Sequence, residues 1–383
     1  MKTLIDWMGW MITFVFFAGI PVLREAGARE VPVATDKQPL VQIAILLDTS
    51  GSMEGLIEQA KGQLWKIVNE FVSAKRDGKR PEVQVALYEY GNNGLNLKNG
   101  WIRRVQPLTT DLDRISEELF KLKTNGGDEF CGWVINDAVK DLEWSKSPDD
   151  YKAIFIAGNE PFTQGSVDFR QACKTAIGKG IVVNTIFCGV EREGVDGQWK
   201  SGATLADGKY LFIDHNRAVV HFEAPQDREI AELGEKLNAT YIAFGAKGEE
   251  SRARQAAQDA NAASLRVQGS MVQRSMAKAS ANYRNSDWDL VDALKEKKVE
   301  ISQVSPAALP AEMRSMNEAE RKAYVEGRAA ERERIQARIS QLSVERARYA
   351  AEQAKKQDGG ATLDAAMIGA IHEQAARKNY RFD

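Results

Sequence analysis

Between Val41 and about Gly245, short apolar runs alternate with stretches in which apolar positions recur every three or four residues. The runs lie at 41–47 (VQIAILL), 83–90 (VQVALYEY), 153–157 (AIFIA), 181–187 (IVVNTIF) and 210–213 (YLFI). They are mostly β-branched or aromatic and too uniformly apolar for strands with one wet face, so they predict a buried parallel sheet. The intervening stretches predict helices over 111–123, 132–144, 167–178 and 226–237. Another follows the first strand, where Leu56, Ala60, Leu64, Ile67 and Phe71 share one face and Trp65 reads as core. The alternation predicts an α/β class fold, a doubly wound, mostly parallel sheet flanked by helices, with its ligand site at the carboxyl ends of the strands.

After Gly248 the composition shifts to Ala, Gln, Arg and Glu, which predicts a separate helical region over 249–383. Capping boxes are expected at Ser286 to Asp289 and at Ser315 to Glu318, with Pro306 and Pro310 in the connector between them. A long helix is predicted over about 317–356. It places Ile335, Ile339, Leu342 and Tyr349 on one side, a coiled-coil-like seam interrupted by Arg346 and only a few heptads long. Gln357 to Gly360 break it, and Thr362 is expected to cap a terminal helix. At the other end, Lys2, the apolar stretch 7–23 and Ala26-Gly27-Ala28 have the layout of a secretory signal over 1–28, or of an N-terminal membrane anchor if it is retained. Either way the remainder is expected outside the cytoplasm, in the periplasm or on the cell envelope.

Charge removes one class of partner. The chain of 383 residues has 52 basic against 54 acidic side chains and a formal charge of -2, and its C-terminal Lys and Arg are matched by Glu and Asp, so no basic stripe for nucleic acid is expected. An apolar fraction of 43% supports a sizeable core. Cys131, Cys173 and Cys188 cannot all pair, and one bridge or none is expected. The three histidines, His215, His221 and His372, stand in no His-x-x-x-His setting, and there is no Gly-x-Ser-x-Gly, so zinc-hydrolase and serine-esterase chemistry lack their residues and no enzyme activity is expected.

The chemistry concentrates at Leu46-Leu47-Asp48-Thr49-Ser50-Gly51-Ser52-Met53, where a buried strand gives way to a helix. One carboxylate and two hydroxyls on a single turn are hard oxygen donors suited to a divalent cation, Mg²⁺ first, with Ca²⁺ or Mn²⁺ as alternatives. Gly51 allows the tight turn between the serines. This string resembles the metal-ion-dependent adhesion site (MIDAS) of von Willebrand factor A-type domains, and the resemblance extends over about 41–245.

The resemblance implies two further loops, one bringing a Thr after paired glycines and one an Asp after the fourth strand. Here Asp128 stands in the place of the Thr and Asn159 in that of the Asp, so the implied metal ligands are Asp48, Ser50, Ser52, Asp128 and Asn159, with Glu160 as an alternative acid. It also implies a protein partner that offers a carboxylate to the ion, bound more weakly than usual because a second carboxylate already sits on the metal. The alternative is a structural scaffold of an envelope complex with a degenerate metal site and contacts made by the C-terminal helices. Residues 126–130 also spell the GGDEF string of diguanylate cyclases. That family places it in a β-hairpin, whereas here it directly precedes a helical stretch, so the match reads as coincidence.

Overall fold

A computed structural model describes residues 38–53, 65–71, 73–213, 223–265, 269–356 and 363–382. The expected export segment, helix positions Leu56, Ala60 and Leu64, the histidines His215 and His221, the break at 357–360 and the cap at Thr362 lie outside these. The strands are β1 (Leu40–Asp48), β2 (Ala74–Lys75), β3 (Glu82–Tyr90), β4 (Arg103–Thr109), β5 (Tyr151–Gly158), β6 (Val182–Cys188), β7 (Tyr210–Ile213) and β8 (Arg381–Phe382). Six of them form one sheet in the order β4-β3-β1-β5-β6-β7, and β2 pairs with β8. β3, β1, β5, β6 and β7 run parallel, whereas β4 lies antiparallel to β3 across two register shifts. The five predicted strands are all present. β4 was not predicted, because it is an edge strand with exposed Arg103 and Arg104 and a Pro at 107, features that blunt an edge and hide its period.

Period-two alternation divides the inner strands between two cores. Val41, Ile43, Ile45 and Leu47 of β1, with Tyr151, Ala153, Phe155 and Ala157 of β5, face one core; Ala44, Leu46, Ile154 and Ile156 face the other. Both faces are dry, which is why these strands read as continuous apolar runs. The helices are α1 (Leu112–Lys121), α2 (Cys131–Asp141), α3 (Phe169–Gly178), α4 (Glu191–Asp196), α5 (Trp199–Leu205), α6 (Asp227–Asn238), α7 (Gly248–Ser264), α8 (Ser270–Ala279), α9 (Leu290–Lys295), α10 (Glu318–Lys356) and α11 (Leu363–Ala376). Residues 65–70 are also helical, with Trp65, Ile67 and Val68 buried in the first core beside Leu112, Ile115 and Leu119 of α1. The second core takes Val134, Ile135 and Ala138 from α2 and Phe169, Ala172 and Cys173 from α3. All three cysteines are buried and free.

The helical region does not stand apart from the sheet. Residues from Gln38 onward form one compact unit, and Val272, Ile335, Ile339, Leu342, Met367 and Ile371 belong to the same core as β1 and β3. Ile335, Ile339 and Leu342 of the α10 stripe are therefore core, and Arg346, which interrupts the stripe, pairs with Asp227 at 2.6 Å. A buried polar network ties the regions together. Arg274, fully buried, donates to Asp113 of α1 (2.7 Å) and to Asp259 of α7 (2.5 Å), and its guanidinium lies 4.8 Å from the centre of the Trp65 ring. Lys278 meets Asp259 at 2.7 Å, and the Tyr283 hydroxyl donates to Asp113. A second buried arginine, Arg332 of α10, donates to Asp289 and Asp292 at 2.7 and 2.8 Å and to the Thr240 carbonyl at 2.7 Å. Charges this buried are tolerated only when paired and hydrogen-bonded, and these are.

The helix starts are shifted from the expected caps. Asp289, not Ser286, caps α9, accepting from the Asp292 N–H, and Asn317 and Glu320 form the reciprocal box at the start of α10 in place of Ser315 and Glu318.

Candidate metal centre

β1 ends in the middle of the sheet, so whatever follows it is flanked by the ends of β3 and β5. Asp48 is its last residue. The chain then turns through a short 3-10 segment, Gly51–Met53, closed by the Met53 N–H donating to the Ser50 carbonyl at 3.1 Å. The turn is locked by the Asp48 carboxylate, whose Oδ1 accepts the Ser50 N–H at 2.7 Å. The Ser50 and Ser52 hydroxyls are 2.9 Å apart, and Ser52 donates to Asn159 Oδ1 at 3.1 Å. Asp48, Ser50, Ser52 and Asn159 are thus brought together, one at the end of β1, two on the turn that follows it and one just past the end of β5.

Asp128 is exposed, whereas its neighbour Glu129 is buried and meets Asp48 at Gly91. The cause lies in the extended stretch before α2. Gly127 presses its backbone onto the turn after β3, where an added Cβ would stand 2.6 Å from the Gly91 carbonyl oxygen and 2.8 Å from the Asn93 nitrogen. The Asn93 N–H donates to the Gly126 carbonyl (2.8 Å) and the Asn125 N–H to the Thr49 carbonyl (3.0 Å). With the backbone pinned this way, side chains alternate out and in, and Glu129 faces the site. Its Cγ lies beside Asp48 Oδ1 against Gly91, and its backbone N–H donates to Gln164 Oε1 at 3.0 Å. Only the packing of Gly127 against Gly91 shows that Glu129 turns inward.

Two glycines make room for the acids. Gly91, at φ +76°, would with any Cβ come within 2.8 Å of Asp48 Oδ1 and 2.9 Å of Glu129 Cγ. Gly158 lies over Tyr90, Trp199 and Asp48, where a Cβ would stand 2.5 Å from the Tyr90 hydroxyl and 3.1 Å from Asp48 Oδ2. Beneath them Tyr90, fully buried, donates to the Ala157 carbonyl at 2.9 Å and ties β3 to β5 across the site. Glu160 sits at the rim. It accepts from Gln164 at 3.4 Å, while its carbonyl is held by the Trp199 indole N–H at 2.7 Å.

The electrostatics are those of a site short of positive charge. Burial pushes the Asp48 carboxyl up to about 7 against the help of Ser50, and burial together with the nearby Asp48 pushes Glu129 up to about 8. Asp48 Oδ2 is buried with no hydrogen-bond partner. A buried carboxylate oxygen without a donor is an unfavourable group that a cation would satisfy. Among the described residues no three His, Cys, Asp or Glu side chains converge closely enough to cage a metal, so the donors here are mixed: two carboxylates, two hydroxyls and an amide oxygen. That set fits a hard divalent ion and suits a softer metal poorly.

No family model and no curated protein sequence matches the chain. Solved structures do match part of it. The conserved hypothetical protein BatB from Bacteroides thetaiotaomicron is 21% identical over 45% of this chain and 90% of that one, with a TM-score of 0.35. The SpRpn10 VWA domain is 14% identical over 46% and 88%, also with a TM-score of 0.35. The neighbours include A-type domains. Proximal thread matrix protein 1 from the mussel byssus, with a zinc-occupied MIDAS motif, is 12% identical over 47% of this chain and 43% of that one, again with a TM-score of 0.35. Likeness this partial bears no weight on function, and the doubly wound architecture stands on the strand order described above.

A second concavity, of about 570 Å³, lies between β4, the start of α1 and the helical region. Four of its cations are matched: Arg114 and Arg254 pair with Glu117, Arg284 with Glu82, and Lys298 with Asp287. It reads as an ion-paired seam. The GGDEF string forms no hairpin; it lies in the extended stretch leading into α2.

Proposed function

We propose that the chain is a divalent-metal-dependent binding module of the cell envelope, which holds a protein partner through the site at Asp48. The observation that carries this reading is the buried Asp48 Oδ2, left without a hydrogen-bond partner where oxygens of Ser50, Ser52 and Asn159 gather and Glu129 packs alongside at Gly91. These residues would hold Mg²⁺, or Ca²⁺ or Mn²⁺ in its place. The bound ion would supply a positive centre toward which a carboxylate of the partner is drawn. This chain's own residues orient the donors, through the Ser50 N–H on Asp48 and the Ser52 hydroxyl on Asn159, and keep bulk from the ion's position through Gly91 and Gly158. The N-terminal segment supports export, with membrane attachment if it is retained.

Calorimetry with Mg²⁺, Ca²⁺ and Mn²⁺ tests the metal: binding by the unmutated chain and none by Asp48→Ala is expected, and no binding by the unmutated chain ends the reading. Capture of an envelope protein that is lost with chelator supports the partner. The scaffold reading draws on a different observation, the insertion of α10 and α11 into the sheet's core. It requires capture that survives both chelator and Asp48→Ala.

A further inference from the structure

The metal reading leaves open what fills the coordination position that a partner would seek. Glu129 is 5% exposed and cannot reach bulk solvent as an ordinary loop acid does. Both acids lie against the same face of Gly91, with Asp48 Oδ1 and Glu129 Cγ 2.8 and 2.9 Å from where a Cβ would be. The Glu129 backbone is fixed by Gln164, which also reaches Glu160, so the loops that follow β4–α1 and β5 are held at one spacing. A partner carboxylate arriving at a divalent ion already neutralised by Asp48 and Glu129 would leave the centre with a net negative charge in a dry surrounding, which is unfavourable.

We infer that Glu129 is a built-in ligand that competes with an external carboxylate for the metal, so that the site is closed on itself until Glu129 is displaced. This rests on the metal reading above and refines it: partner binding is an exchange of one carboxylate for another, not an addition. Two consequences follow in opposite directions. Removing the Glu129 charge weakens the hold on the metal and at the same time opens the ion to water and to outside carboxylates.

The test uses Mn²⁺ on the full chain, followed by water-proton relaxation, with sodium acetate as the carboxylate probe. Glu129→Gln is expected to bind Mn²⁺ at least about tenfold more weakly, since even the loss of an outer partner of a metal ligand has that effect. Each bound ion should carry more exchanging water, and acetate should displace that water at lower concentration than in the unmutated chain. Asp128→Asn should behave as the unmutated chain. If the unmutated chain binds no Mn²⁺, the metal reading itself falls. If it binds and Glu129→Gln matches it in affinity and hydration, only the role of Glu129 falls. Should Glu129→Gln not fold, difference infrared spectra of the unmutated chain labelled with ¹³C-glutamate give the same decision: a metal-induced shift of a glutamate carboxylate band is expected, and its absence overturns the inference.

Discussion

Removing Arg274 should unfold more than the helix that carries it. In Arg274→Ala, Asp259 keeps Lys278 at 2.7 Å and Asn238 at 2.6 Å, but Asp113 is left buried with only the Tyr283 hydroxyl. Stranding one member of a buried pair destabilises by about 3–5 kcal/mol. The lost contact with the Trp65 ring adds up to about 2 kcal/mol for a desolvated cation.

The expected penalty is therefore about 3–7 kcal/mol. Urea unfolding, followed by tryptophan fluorescence and far-ultraviolet circular dichroism, measures it. Adding Asp113→Asn to Arg274→Ala should recover much of the loss. A penalty below about 1 kcal/mol refutes the reasoning.

Gly91→Ala should weaken Mg²⁺ binding and destabilise the metal-free chain by about 1–3 kcal/mol, because its Cβ would press on Asp48 and Glu129 and its φ of +76° is one that L side chains rarely adopt. Melts with and without Mg²⁺ measure both, and an unchanged Mg²⁺-induced shift in Tm argues against the crowding. The native chain should react negligibly with a thiol reagent at pH 8: burial pushes Cys173 up to about 12, and Cys131 and Cys188 higher still. All three should react once the chain is unfolded, without a reductant, and a shortfall there would mean a disulfide. A chain ending at Lys356 should be insoluble or should lose cooperative melting. It uncovers the sites of Met367, Ile371 and Tyr380, each fully buried large side chain being worth about 1.5–3 kcal/mol. A soluble, cooperatively melting product would show that α11 is dispensable.

The parallel strands were legible because burial on both faces leaves an apolar run with no other explanation. The turn at Asp48 to Ser52 was legible because its donors are consecutive in the chain. β4 was not, since an edge strand carrying Arg103, Arg104 and Pro107 satisfies its neighbours without an apolar pattern. The choice between Asp128 and Glu129 was hidden for a related reason. Which of two adjacent acids turns inward is decided by the register of an extended stretch, and here that register is set by Gly127 meeting Gly91, two residues far apart in sequence. The coupling of the helical region to the sheet was also out of reach, because Arg274, Lys278 and Arg332 look like surface charges in a helix until their partners on other elements are known. The cap at Asp289 was missed by three residues, a matter of which acid in Ser286 to Asp289 meets the N–H of Asp292.

The last residues return to where the sheet begins: the Tyr380 hydroxyl donates to the Leu40 carbonyl at 2.9 Å, and β8 pairs with β2 close by. β1 then runs eight steps to Asp48, about 26 Å at the rise of a strand. Gln38 and Phe382, the two ends of the described fold, thus share one pole, and the candidate site at Asp48 occupies the other. A support that holds the fold at Gln38 or Phe382 would leave the Asp48 pole facing outward, as a hook faces away from the wall plate that carries it.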